Sequence, residues 1–182
     1  MQLETDRLLL RRLTQADAHE FFQTVGDPEV MRYWGKGAEK TVEDTCRRIT
    51  EMEEHWVTHG FGDWAVMEKN TGELIGFCGL HYIENMAEVN LGYAFKKTKW
   101  RQGFGFESCK AVLAAGFGEL GLDPIVAVIQ TPNIASRKLV EKLNLVFWKE
   151  FVYKGNEVVG YIMTPERFQA ERSRLADYSS RI

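Results

Sequence analysis

Proline, cysteine and long apolar stretches are all scarce in this 182-residue chain. Its four prolines, Pro28, Pro124, Pro132 and Pro165, stand at apparent element boundaries, so no proline-rich linker is present. Its three cysteines, Cys46, Cys78 and Cys109, are scattered and odd in number. None has CxxC or CxxH spacing, which argues against a disulfide framework and a zinc site; each reads as a small buried hydrophobe. No run of 18 apolar residues occurs, and the opening MQLETDRLLLRRL has no apolar signal stretch, so a cytoplasmic protein without a membrane partner is expected. Charge of one sign is also lacking. The 23 basic and 26 acidic residues leave a net charge of −3, which gives no general attraction to nucleic acid.

What is present is a globular composition, 45% hydrophobic and 27% charged. The length is near that of one ~150-residue domain, and a single domain over 1–182 is expected. Leu8–Leu13 reads as a strand, and Thr14 with Asp17 opens a helix ended by Gly26. Asp27-Pro28 predicts a short helix to Trp34-Gly35. Thr41 and Asp44 cap a longer one, with Val42, Cys46, Ile49, Trp56 and Val57 as its stripe and Gly60 as its stop. Strands are expected over Trp64–Glu68, Glu73–Tyr82 and Ala87–Phe95, the first two joined by a Lys69–Gly72 turn. A helix over Gly103–Leu120, a wholly apolar strand over Ile125–Ile129 and a helix from Pro132 to Leu143 follow. Leu145–Tyr153 and Glu157–Met163 form a hairpin around Gly155-Asn156. A last helix from Pro165 carries Phe168, Leu175, Tyr178 and Ile182 on one side and pairs Arg167 with Glu171; it packs on the sheet or at a homodimer interface. Trp56, Trp64 and Trp148 read as core. This order means α+β with one mixed sheet, in which Ala87–Phe95 and Ile125–Ile129 run parallel.

Chemistry concentrates where the third of these strands meets the long helix. Lys96, Lys97, Lys99, Arg101 and Lys110 face a single acid, Glu107. A helix start offers N–H groups and the positive end of a dipole, and Gly103 and Gly105 let backbone approach a ligand. This pattern suits an anion, most naturally a pyrophosphate. No Lys-Ser or Lys-Thr follows the glycines, so it is not a P-loop, and the third glycine of a dinucleotide fingerprint is missing.

Several segments, in order and with fitting spacing, resemble one family. These are Glu4–Arg11 at the start, Thr71–Gly76, Leu91-Gly92-Tyr93, Trp100–Glu107, and Asn133–Ser136 with Glu141–Leu143. Together they resemble the GCN5-related N-acetyltransferases (GNAT), in the ribosomal-protein alanine acetyltransferase-like branch. The resemblance implies a GNAT fold: one central mixed sheet of about seven strands flanked by helices, its central parallel strands splayed. It implies an acetyl-CoA-dependent N-acetyltransferase, with no metal, acting on a primary amine by direct attack in a ternary complex. Backbone N–H groups of Arg101, Gln102, Gly103, Phe104, Gly105 and Phe106 would hold the pyrophosphate, with the basic cluster neutralising it. The pantetheine arm would pair with backbone at Ala94 and Phe95 and meet Asn133, and an N–H near Ala94 or Phe95 would polarise the thioester carbonyl. Three positions depart from the family pattern. Val140 stands where a tyrosine acid is usual, Asn144 replaces a common glycine, and Asn90 falls where this branch often has Glu. The alternatives are a non-catalytic acyl-CoA-binding module and a protein-interaction domain that keeps the fold.

The reaction needs a neutral amine, a polarised carbonyl and a proton for the leaving thiolate. Ser136 is the candidate acid by family position, and Glu88 and His81 are the candidate bases. An α-amine with pKa ~8 is roughly 10% neutral at pH 7, whereas a lysine-like amine near ~10.4 is under ~0.1% neutral, so a weak base favours α-amines. Tyr33 and Trp34, with the acid-rich 39–54 helix, are the candidate acceptor walls; those acids could instead form a solvated face. The acceptor is a small molecule or a protein N-terminus, with no direct nucleic-acid partner.

Overall fold

The fold is that of a computed structural model, which describes residues 1–170 and Ser173. It contains one mixed sheet of eight strands flanked by helices, in the order β1-β2-β3-β4-β5-β6-β8-β7. The strands are β1 (Leu3–Glu4), β2 (Leu8–Arg12), β3 (Asp63–Glu68), β4 (Glu73–Tyr82), β5 (Val89–Phe95), β6 (Ile125–Gln130), β7 (Val146–Tyr153) and β8 (Asn156–Met163). The helices are α1 (Ala18–Val25), α2 (Val42–His59), α3 (Phe104–Phe117) and α4 (Ile134–Lys142). Packing divides the chain into two compact units, Met1–His81 with Leu91–Ala115, and Tyr82–Asn90 with the chain from Gly116 onward.

In the first unit, α2 begins where the sequence places its cap. Thr41 Oγ1 accepts from the Asp44 N–H at 3.1 Å, and Asp44 Oδ2 accepts from the Thr41 N–H at 3.0 Å. The helix ends at Gly60, whose φ of +78° suits a residue without Cβ. Its buried stripe is Thr45, Ile49, Met52 and Trp56. Val57 is not part of it: 83% exposed, it sits one position past Trp56 and so about 100° around the helix. Residues 28–35 form turns and a bend rather than a helix. Asp27 Oδ1 accepts from the Glu29 N–H at 2.8 Å, a local turn that competes with helical bonding. The core gathers Phe21, Val25, Met31, Ile49, Leu74 and Phe77. Phe21 meets Phe77 edge-on at 5.7 Å and Trp56 meets Trp64 at 4.8 Å.

In the second unit, β6 is buried and central. It pairs antiparallel with β8 over six residues and parallel with β5 at Val89↔Ile125 and Asn90↔Val126. The Val128 N–H then donates to Asn90 Oδ1 at 3.0 Å, so a side chain takes the next rung. Asn90 therefore has a structural task. The hairpin turn falls at Lys154-Gly155, with φ +48° and +77°, one residue earlier than expected. Trp148 is half-buried, with Lys149 Nζ 3.7 Å above its ring, and is not core. Residues 165–170 are helical, and Phe168 stacks on Phe117 at 4.9 Å. The remaining expectations for that helix, Glu171, Leu175, Tyr178 and Ile182, lie outside the described residues.

Candidate active site

The α3 N-terminus is built by a residue ninety-five positions earlier in the chain. The first helical hydrogen bond is Glu107 N–H to Gly103 O at 3.0 Å, so the N–H groups before it lead the helical ladder. Arg101 and Gly103, at φ +60° and +85°, turn the chain into the helix. Arg7 brackets this turn. Its Nη1 donates to Gln102 O at 3.0 Å, and its guanidinium lies 4.4 Å from the Phe104 ring centre. A Cβ at Gly103 would stand 3.3 Å from Arg7 Nη2. Glu107 is turned into the same clamp. It accepts from Thr5 Oγ1 at 2.5 Å, from the Arg7 N–H at 3.0 Å and from Arg7 Nε at 2.7 Å. Burial raises the Glu107 pKa, but these donors and the Arg7 charge outweigh it and hold the carboxylate below its ordinary range. The one acid of the segment is thus neutralised in place.

Three lysines of the basic cluster face acids on other segments. Lys96 is buried and pairs with Glu73 at 2.9 Å and Glu20 at 3.7 Å. Lys97 pairs with Glu29, and Lys99 with Glu68 at 2.7 Å and Glu73 at 2.8 Å. These three lysines are engaged by acids of other segments. Arg101 and Lys110 make no ion pair among the described residues. The acids around α2 are partly paired too, Glu39 with Arg48, Glu51 with Lys36 and Asp44 with Arg47, which weakens the case for a cationic acceptor there.

Strand β5 ends at two buried residues, Ala94 and Phe95. The Lys96 N–H donates to Ile75 O on β4 at 2.8 Å. Strand alternation therefore turns the Phe95 N–H and C=O to the opposite edge. Trp100 Nε1 donates to Phe95 O at 2.8 Å, so that carbonyl is engaged while the N–H keeps its direction. Of Ala94 and Phe95, it is Phe95 whose N–H points away from β4. Opposite, Gly76 is forced by contact: a Cβ there would lie 2.2 Å from Ala94 O.

On β3 and β4 lies a buried dyad that sequence reasoning half found. His81 Nδ1–H donates to Asp63 Oδ1 at 3.1 Å, and Asp63 is only 8% exposed. Asp63 stands opposite Gly79 in the β3–β4 ladder, so His81 is its diagonal neighbour. Both glycines beside the dyad are needed for space. A Cβ at Gly79 would be 2.3 Å from Asp63 Oδ1, and one at Gly92 would be 2.6 Å from His81 Cε1 and 3.2 Å from Trp34. Trp34 packs at 5.1 Å from the Phe77 ring, with the Arg48 guanidinium 5.4 Å from its own, so it serves both core and wall. Tyr33 is half-buried beneath Arg32, 5.3 Å away. Asp63 was missed because nothing in its local sequence marks it; only strand register brings it to His81.

In the second unit, Asn133 caps α4, its Oδ1 accepting from the Ser136 N–H at 3.2 Å. Ser136 is half-buried in the first turn. Val140 is fully buried and offers no proton. The Tyr161 hydroxyl is bonded on both sides, donating to Glu141 at 2.7 Å and accepting from Arg137 at 3.1 Å. Glu88 is half-buried and lines an open groove of about 590 Å³ with Glu84, Lys149, Phe151 and Tyr153. No cluster of three His, Cys, Asp or Glu suited to a metal occurs among the described residues.

Residues 7–146 match the family described as the acetyltransferase (GNAT) domain. The chain is 35% identical over 153 residues to the uncharacterized N-acetyltransferase YoaA of Bacillus subtilis strain 168, covering 84% of this chain and 85% of that one. It superposes on a GNAT-family acetyltransferase from Bacillus anthracis with TM-score 0.80 and 23% identity, over 91% of this chain and 99% of that one. It also superposes on the ribosomal-protein-S5-alanine acetyltransferase of Vibrio fischeri with TM-score 0.76 and 16% identity, over 92% and 98%. The fold and these matches define an acyltransferase. The chain belongs to the GNAT acetyltransferase family.

Proposed function

We propose that the protein transfers the acetyl group of acetyl-CoA to a primary amine, by direct attack in a ternary complex. The observation that carries this reading is the α3 N-terminus, where N–H groups lead the ladder, Gly103 leaves room and Arg7 has already neutralised Glu107. That combination fits a pyrophosphate. When bound, acetyl-CoA supplies an acetyl group activated as a thioester. The chain's share is to hold the anion at 101–106 and to aim the Phe95 N–H at a developing oxyanion. Ser136 is the candidate proton donor, since Val140 supplies none.

The acceptor is an α-amine or another amine of low pKa. An imidazole or carboxylate base suits an amine near pKa ~8 far better than one near ~10.4. The structural likeness to a ribosomal-protein-alanine acetyltransferase supports a protein N-terminus as the acceptor. Thermal unfolding with millimolar acetyl-CoA, alongside ATP and NAD, tests the cofactor. A ligand at ~100 times its Kd adds about 2.7 kcal/mol, a rise of several degrees. A rise with acetyl-CoA alone is expected. No rise would sink the reading and favour a protein-interaction domain that only keeps the fold.

A further inference from the structure

We propose that Trp100 is a positioning residue that fixes which group the end of β5 offers to the acyl arm, which rests on the acetyltransferase reading above. A strand residue turns its own N–H and C=O to one edge, and the next residue turns its pair to the other. Two contacts fix that alternation at the end of β5. The Lys96 N–H reaches Ile75 O on β4 at 2.8 Å, and a Cβ at Gly76 of β4 would lie 2.2 Å from Ala94 O. Residues 94 and 96 therefore face β4, and both backbone polar groups of Phe95 face away from it. Such a residue presents one donor and one acceptor, and an amide-bearing chain can pair with either. Trp100 Nε1 donates to Phe95 O at 2.8 Å and so takes the acceptor. A ligand carbonyl then meets the Phe95 N–H, whereas a ligand N–H finds the Phe95 carbonyl engaged. The indole thus reserves this position for the thioester oxygen and disfavours registers that would set an amide N–H of the arm there.

The indole is delivered by a short, anchored return of the chain. Lys97–Lys99 form one turn of 3₁₀ helix, with the Lys99 N–H donating to Lys96 O at 2.9 Å and the Trp100 N–H to Lys97 O at 3.2 Å. Ion pairs pin this turn at its start and its end. Lys96 Nζ lies 2.9 Å from Glu73, and Lys99 Nζ lies 2.7 Å from Glu68 and 2.8 Å from Glu73. Glu68 ends β3 and Glu73 begins β4, so the β3–β4 hairpin holds the turn in place. The Trp100 residue is 40% exposed, so apolar burial accounts for only part of its presence here. Immediately after it, Arg101 turns the chain at φ +60° and Gln102 O accepts from Arg7, which begins the stretch assigned to the pyrophosphate. Trp100 therefore serves both ends of the proposed site. Its backbone leads into the anion turn, and its side chain sets the group presented to the thioester. Loss of the indole N–H alone leaves the bonds of the anion turn in place and releases the Phe95 carbonyl.

The test is Trp100→Phe, which keeps an aromatic ring and removes the N–H. Turnover is followed by thiol release from acetyl-CoA with simple primary amines and with short peptides beginning with Ala or Ser. Calorimetry measures binding of acetyl-CoA and of S-ethyl-CoA, a thioether that lacks the carbonyl. An oxyanion donor is worth about 10²- to 10³-fold in kcat, so a misaimed one should cost about 10-fold or more, with acetyl-CoA affinity unchanged. The second readout is the amide resonance of Phe95 by NMR. In the wild-type protein it should move further downfield with acetyl-CoA than with S-ethyl-CoA, because only the first brings a carbonyl to it. In Trp100→Phe that difference should shrink. A loss of acetyl-CoA affinity in step with kcat would confine Trp100 to the anion turn and overturn the proposal. A wild-type Phe95 resonance that responds equally to both ligands would overturn it too, and that result needs no variant to fold. So would unchanged kcat in Trp100→Phe with the resonance difference intact. Absence of acetyl-CoA binding in the wild-type protein would instead remove the acetyltransferase reading, a result the calorimetry separates from the others.

Discussion

Two glycines beside the same dyad are expected to behave differently when given a methyl group, because different atoms stand in the way. At Gly92 the nearest obstacles are side chains, His81 Cε1 at 2.6 Å and Trp34 at 3.2 Å. Rings on single bonds can swing aside, so Gly92→Ala should fold. The displaced imidazole then loses its geometry, and kcat should drop ~10-fold or more, since sub-ångström misplacement of a reacting group is costly. At Gly79 the obstacles include backbone, Asp63 Cα at 2.3 Å and Gly62 O at 2.6 Å, besides Asp63 Oδ1 at 2.3 Å. Strands cannot part locally without losing ladder bonds, so Gly79→Ala should lower stability by about 1–3 kcal/mol or more. Chemical denaturation of both variants with kcat measured alongside checks the pair; a stable, inactive Gly79→Ala would contradict the assignment of these contacts.

At the scale of elements, the opening β2 motif and the α3 start form one device. Arg7 reaches Gln102, Phe104 and Glu107 together, so removing its side chain loosens the turn that presents the N–H groups. The ion pair alone is half-exposed and contributes little to stability. Arg7→Ala should therefore weaken acetyl-CoA binding about 10-fold, raising KM with kcat nearly unchanged. An equal fall in kcat would mean that Arg7 touches the reaction rather than the turn. This device also shows where sequence reading stops. The caps of α2, the β3–β4 hairpin and the glycine turn before α3 were legible because each is set by residues within a few positions of one another. Arg7 and Glu107 lie a hundred residues apart, and Asp63 and His81 meet only through register. The partners of the lysine-rich stretch were hidden for the same reason. Its charge was local and readable, but its partners Glu20, Glu29, Glu68 and Glu73 sit on other segments, and three lysines pointed to them.

For the whole molecule, the buried dyad ties stability to pH in both directions. The folded pKa of Asp63 is depressed, so its stabilisation is present above the unfolded value of ~3.9 and lost as pH falls through the folded one. Asp17 behaves likewise: burial raises its pKa, but hydrogen bonds from Arg11 and Thr14 lower it further, and Glu107 follows the same pattern. The folded pKa of His81 is raised, so its stabilisation is complete below the unfolded value of ~6.5 and lost as pH rises through the folded one. The two windows overlap between about pH 4 and 6.5. The unfolding midpoint should therefore be highest there, fall steeply in acid as three carboxylates protonate, and fall more gently above neutrality as one imidazolium is lost. Asp63→Asn isolates the second limb. Without the carboxylate the ring is neutral in the folded state at lower pH, so the alkaline decline should vanish while the acid decline persists through Asp17 and Glu107. A midpoint that falls above neutrality as steeply in Asp63→Asn as in the wild type would show that the decline comes from another group.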